Sequence, residues 1–118
     1  MKKVYLCANA LCGDVPGNIE LAKQYAKYVF ECGAAPVVPA FYALILDYGD
    51  PSQRELCINA GLSMLWMTDE VWVFGDRITR GMKAEIKLAK ALNIKIRYIG
   101  RRNQSNGGSE FYEKKKGY

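Results

Sequence analysis

The segment Thr79-Arg80-Gly81-Met82-Lys83-Ala84-Glu85-Ile86-Lys87-Leu88-Ala89-Lys90-Ala91-Leu92 places an acid where a helix built for solubility would not. With Glu85 at zero on a wheel of about 100° per residue, Gly81, Met82, Leu88, Ala89 and Leu92 fall within roughly 60° of it. Arg80, Lys83, Lys87 and Lys90 lie on the far side, about 140° to 220° away. The helix therefore has a basic outer face, an apolar inner face, and one carboxylate in the middle of the apolar one. Burying an unpartnered carboxylate is costly, so Glu85 must be hydrogen-bonded, protonated or open to a cavity. Two readings stay open: an acid that faces a ligand, or a first-turn acid tied to nearby amides or to an arginine such as Arg77. The residues ahead of it, Gly75 to Gly81, join a strand to a helix start, where free amides and the helix dipole attract anions. Thr79 can cap the helix or donate to a ligand, and Gly81 permits close backbone approach. A phosphate or sugar suits such a loop. No GxGxxG follows the first strand and no Walker motif is present, which argues against a Rossmann dehydrogenase and a P-loop NTPase.

The chain of 118 residues has no histidine. That excludes a Ser-His-Asp triad, a Cys-His pair and imidazole acid–base or metal chemistry, and leaves carboxylates, tyrosine, cysteine, lysine and the backbone. Cys7, Cys12, Cys32 and Cys57 form no CxxC pair; a structural zinc would need all four, at the wrong spacing. They read as buried thiols in a reducing cytoplasm. The net charge of +5 is a mild bias toward phosphate-bearing partners. Much of it sits in Arg101, Arg102 and Lys114 to Lys116, in a tail that a solvated role explains equally well; no recognised nucleic-acid motif accompanies it. No apolar run reaches the roughly 20 residues that cross a bilayer. The opening Met1 to Leu6 leads into a strand-like segment and lacks the cleavage site of a signal peptide.

The elements that must position Glu85 alternate between strand and helix. Val4 to Ala8 is an apolar run of strand length. Asn18 offers an N-cap for a helix carrying Ile19, Ala22, Ala26, Val29 and Phe30, with Gly33 as its stop. Ala35 to Pro39 reads as a strand kept peripheral by its prolines. Phe41 to Tyr48 fits a short helical turn or a loop. Asp50-Pro51-Ser52-Gln53 starts a helix, the glutamine completing a capping box, that runs to about Met67. From Leu56 to Met67 that helix carries no charge, and a subunit interface is the economical cover for it. Val71 to Gly75 is the clearest strand, Lys83 to Asn93 a helix, and Ile94 to Ile99 a strand with one wet face. Residues 1–100 form one domain on this reading and 101–118 a polar basic tail with a short helix over Ser109 to Lys116.

Strands alternating with helices imply a parallel sheet with ligands beyond the strands' carboxyl ends. Asn9 to Asn18, Ala40 to Asp50 and Gly75 to Gly81 should therefore converge. Tyr5 either bonds a carboxylate or serves as core. Asp69 lies at the opposite end and reads as a turn residue. Trp66 and Trp72 form no stacking ladder with arginines.

The strand Val4-Tyr5-Leu6-Cys7, Gly13-Asp14 before Asn18-Ile19-Glu20, the strand Asp69 to Gly75 and the helix start Thr79 to Ile86 resemble the nucleoside 2-deoxyribosyltransferase-like superfamily over about Val4 to Ile99. The most specific element is a hydroxyl residue, then glycine, then glutamate: Thr79, Gly81, Glu85. The resemblance implies a flavodoxin-like (Rossmann-like) α/β fold, a parallel sheet of four to five strands flanked by helices. It implies sites completed across a homodimer interface. It casts Glu85 as the nucleophile on the anomeric carbon and Tyr5 as its orienter. In the related deoxynucleotide N-hydrolases the matching hydroxyl holds a 5′-phosphate, the role implied for Thr79. Characterised transferases also carry an aspartate on the helix before the third strand; here that stretch offers Arg54, Glu55 and Asn59.

The expected chemistry is N-glycosidic bond cleavage or deoxyribosyl transfer on a deoxynucleoside or deoxynucleotide, through a covalent sugar ester as in a retaining glycosidase. Glu85 and Tyr5 are the expected catalytic pair. Thr79, Gly81, Met82, Asn9, Gly13 and Asp14 are the expected substrate contacts. The reaction calls for no metal and no cofactor. The rival reading is a module that binds a nucleotide in the same pocket without turning it over.

Overall fold

The computed structural model describes residues 1–9, 13–102 and 110–115. A five-stranded sheet forms the centre, built from β1 (Lys3–Cys7), β2 (Ala35–Val37), β3 (Glu70–Phe74), β4 (Lys95–Arg101) and β5 (Phe111–Glu113). Its order is β2-β1-β3-β4-β5, the flavodoxin-like order, with β1 to β4 parallel and β5 antiparallel to β4. Three helices flank it: α1 (Val15–Glu31), α2 (Pro51–Leu65) and α3 (Arg80–Ala91); a 3-10 turn spans Pro39–Leu44.

Strand alternation divides the core in two. Val4 and Leu6 of β1 with Trp72 and Phe74 of β3 face α1, packing on Tyr25, Ala26 and Val29. Tyr5, Cys7, Val71 and Val73 face the other side, against Leu65 of α2 and Met82, Ile86 and Ala89 of α3. Odd and even positions of β1 thus serve different layers, and Tyr5 points to the layer of α3.

Several boundaries differ from the sequence reading. Asp14, not Asn18, caps α1: its carboxylate accepts from Gly17 N at 3.2 Å, and Pro16 sits in the first turn where no donor is missed. Asp50 caps α2 as expected, but Gln53 does not close a capping box; its side-chain oxygen accepts from Asp47 N at 2.8 Å instead. Helix α3 starts three residues earlier than the apolar pattern suggested, because Thr79 caps it. Cys7 and Cys57 are buried, whereas Cys32 is exposed just past the end of α1; Cys12 lies outside the described residues.

The largest correction concerns the tail. In place of a helix over Ser109 to Lys116, the described residues form β5, and Arg101 still belongs to β4, so the tail completes the sheet. The cause is aromatic packing. Phe111 stands edge-on to Tyr25 and Phe74, at centroid distances of 5.4 and 6.1 Å, and those two rings are stacked at 4.5 Å. Beside it, Tyr112 stands opposite Gly100 in the ladder, which leaves room for its ring; a Cβ on Gly100 would come within 2.7 Å of that ring.

An ion cluster secures the amino-terminal edge of β3. The buried Glu70 accepts from Arg97 Nε at 2.8 Å, Trp72 Nε1 at 2.9 Å and Lys2 Nζ at 2.9 Å, and Arg97 also pairs with Glu113 of β5. Burial acts to raise the Glu70 pKa, but these donors override it and bring it down to about 2. A carboxyl lowered in the folded state stabilises above its unfolded pKa, here 4.5, and loses that contribution as pH falls toward 2. Glu70→Gln should therefore lower stability at pH 7 by about 1–3 kcal/mol. The gap to the parent protein should narrow by pH 3 and close only near pH 2, as read by thermal unfolding across that range.

Candidate active site

Just after strand β3 comes Gly75, whose φ of 101° favours glycine and turns the chain toward α3. Thr79 then starts the helix: its hydroxyl accepts from Met82 N at 3.3 Å, and its own N–H donates to Met82 Sδ at 3.5 Å. This cap sets the rotation of α3, so that Met82, Ile86 and Ala89 pack on the sheet and Glu85 faces β1.

Tyr5 donates its phenolic hydrogen to Glu85 Oε2 in a short hydrogen bond. Two residues on, and so on the same face of β1, Cys7 donates to Oε1 at 3.5 Å. Each carboxylate oxygen thus meets a donor from the strand. The alternative partner weighed from the sequence, Arg77, is not used; it lines a separate cavity across the sheet.

Burial dominates the electrostatics. It pushes the Glu85 pKa up to about 7, against the lowering effect of the Tyr5 and Cys7 hydrogen bonds. Burial, then the charge of Glu85, pushes Tyr5 and Cys7 well above their ordinary values, so both stay protonated as donors. Tyr48, on the loop before α2, is pushed up to about 12 by burial, by Cys57 and by Glu85.

The carboxylate opens on a cavity of about 390 Å³ at the carboxyl end of β1. Tyr5, Asn9, Thr79, Gly81, Met82 and Glu85 all line it, so six of the eight residues singled out from the sequence converge. Nothing lies within 4 Å of where a Gly81 Cβ would stand, so packing does not require glycine there, and the space is left open. Gly13 and Asp14 are not brought in. Gly13 lines the cavity of about 500 Å³ on the α1 side of the sheet, and Asp14 is spent on capping α1.

Sequence reasoning missed the wall that α2 supplies: Cys57, Ile58, Gly61 and Leu62. Gly61 lets α2 approach closely, since a Cβ there would stand 2.9 Å from Pro39 Cβ and 3.5 Å from the Tyr5 hydroxyl. A glycine inside an otherwise apolar helix was the available signal. Arg54, Glu55 and Asn59, the polar residues of that helix, are exposed and do not line the cavity. Among the described residues no cluster of three metal-binding side chains occurs.

The sheet order and the flanking helices define a flavodoxin-like α/β domain, with Glu85 over an apolar cavity at the strands' carboxyl ends. Residues 2–99 match the family described as Domain of unknown function (DUF7768), and the chain belongs to that family. No curated protein matches it. Among solved structures it is similar to the 2-deoxyribosyltransferase of the psychrotolerant bacterium Bacillus psychrosaccharolyticus, with a TM-score of 0.67 and 14% identity over 87% of this chain and 75% of that one. At that identity the likeness is one of fold. No described helix is long and apolar enough to cross a membrane.

The raised Glu85 pKa has a consequence for stability. Unfolding frees the carboxyl to ionise at its ordinary 4.5, so the folded state is penalised as pH rises from 4.5 to 7 and stays so above. Glu85→Gln should therefore stabilise the fold at pH 8, by roughly 1–3 kcal/mol, and change it little at pH 4.5. Thermal unfolding of both proteins at the two pH values reads the difference; an equal shift at both would contradict the buried charge.

Proposed function

We propose that the protein cleaves or transfers the N-glycosidic bond of a deoxynucleoside or deoxynucleotide, with Glu85 as the nucleophile. The observation that carries this reading is the Tyr5–Glu85 hydrogen bond in the lining of the apolar cavity. With Oε2 engaged by Tyr5, Oε1 is the oxygen suited to attack the anomeric carbon. The sugar passes through an oxocarbenium-like state to a glycosyl ester, and water or a second base then takes it from Glu85. The Thr79 hydroxyl hydrogen, which the cap leaves unused, and the Gly81 amide receive the 5′-oxygen or phosphate at the start of α3, aided by its dipole, with Met82 lining the site beside them. Asn9 contacts the sugar. No metal or other cofactor enters this scheme, and the site of action is the cytoplasm.

The nucleophile works only when ionised, so kcat/KM should rise with pH through about 7, the Glu85 value in the free protein. The test is chromatographic release of free base from a panel of deoxynucleosides and deoxynucleotides. Glu85→Ala should lower the rate at least ~1000-fold and Tyr5→Phe about 10- to 100-fold. No base from any substrate, or full activity in Glu85→Ala, would overturn the proposal. The rival, a module that binds a nucleotide without cleaving it, draws on the single carboxylate in the cavity. It expects tight binding unaffected by Glu85→Gln and no base released.

The same reading makes the protein a homodimer. Leu56 (56% exposed), Ile58 (41%) and Trp66 (68%) leave the charge-free surface of α2 uncovered, with Ile45 (80%) beyond the 3-10 turn. Ile58 also lines the cavity, so a second copy seated on α2 would wall the site. The double variant Leu56→Glu, Trp66→Glu should sediment as a monomer where the parent sediments as a dimer; a monomeric parent would refute this assembly.

A further inference from the structure

Breaking a neutral N-glycoside leaves the electron pair of the C1′–N bond on the departing base, which then needs a proton. Among the described residues the cavity holds no second acid to supply it: Glu85 is the one described lining residue with a carboxyl group. Residues 10–12, 103–109 and 116–118, outside the described structure, contain no aspartate or glutamate, and neither does the stretch 56–67 of α2 and its end on which a second copy would seat. From α2, the wall contributes Cys57, Ile58, Gly61 and Leu62 rather than an acid. Tyr5 and Cys7 already donate to Glu85, which holds their protons.

A second feature is the absence of a counter-cation at Glu85 among the described residues. Its only charge-assisted partners are the Tyr5 hydroxyl and the Cys7 thiol. Arg80 also lines the cavity but forms no ion pair with Glu85, on which only burial, Tyr5 and Cys7 act. A lone carboxylate in an apolar cavity is stabilised by a ligand that brings the positive charge itself.

Resting on the glycosidic reading above, we propose that the preferred substrates are N-glycosides whose base is already a cation, a pyridinium or an N7-alkylated purine nucleotide. Glu85 Oε1 bonds to C1′, and the C1′–N pair neutralises the ring as it leaves, so no proton is needed. Water then bonds to C1′, releases the Glu85 carboxylate and yields one proton to solvent. The products are the free sugar phosphate and the neutral base.

The experiment compares 2′-deoxyguanosine 5′-monophosphate with its N7-methyl derivative, and adds nicotinamide mononucleotide as a cation of different shape. Base release by the full-length protein is corrected for the spontaneous reaction. A general acid typically contributes 10²–10⁴-fold, so a site without one should favour the N7-methyl compound by at least ~100-fold in kcat/KM. Nicotinamide release should accompany it, and Glu85→Ala should abolish both. An enzyme with its own acid gains little from N7-methylation, which blocks the atom it would protonate. Equal or faster cleavage of the unmethylated nucleotide therefore overturns this inference and leaves the glutamate mechanism standing. No Glu85-dependent release from any of the three overturns the inference, while cleavage of other neutral nucleosides in the earlier panel would keep the broader reading alive.

Discussion

The desolvation of Glu85 is the constraint around which this domain is arranged. A carboxylate on the inner face of a helix weakens the fold unless donors meet it, and two residues of the central strand do so, one at each oxygen. Those donors reach it only if β1 presents Tyr5 and Cys7 toward α3, and if α3 is rotated so that Glu85 faces them. The first condition is met by strand alternation, with Val4 and Leu6 filling the α1 side. The second is met by the Thr79 cap together with the packing of Met82 and Ile86.

The rest of the fold can be read as support for that contact. The ion cluster at Glu70 sits at the amino end of β3, far from the cavity, and ties β3, β4 and β5 together with fully paired charges. Its carboxylate is held low by cations, whereas Glu85 is held high by burial. Two glutamates withdrawn from solvent, Glu70 fully and Glu85 in part, thus have opposite electrostatics for a physical reason: one is surrounded by donors with charge, the other by neutral ones. The first arrangement stabilises the sheet; the second keeps a carboxylate poised near neutrality, where a nucleophile or a cation-binding group is useful.

The cavity beside Glu85 is apolar on the α2 side and polar at Asn9 and along the start of α3. Such a division suits a ligand with one flat, poorly hydrated part and one anionic or hydroxylated part. The close approach at Gly61 brings α2 within reach of the Tyr5 hydroxyl. Helix α2 therefore closes the site on its inner side, while its outer side stays apolar and uncovered.

By itself the sequence determined the alternation of strands and helices, the parallel sheet and the identity of the central acid. Apolar periodicity and the misplaced charge of Glu85 are local properties of the chain, readable without coordinates. Its companions Tyr5, Thr79, Gly81 and Met82 were also legible, through motif resemblance and the rule that ligands lie past the strand ends. The pairing of Cys7 with Glu85 was not, because a buried thiol on a strand looks the same whichever face it takes. Nor was the fate of Asp14, whose carboxylate could cap a helix or meet a ligand until the start of α1 was fixed. The tail followed the same logic: three residues carry little strand signal, and only Tyr25 and Phe74, brought together from distant parts of the chain, make a place for Phe111. Local pattern decided which elements form; contacts between residues far apart in sequence decided which faces meet, and with them the chemical environment of Glu85.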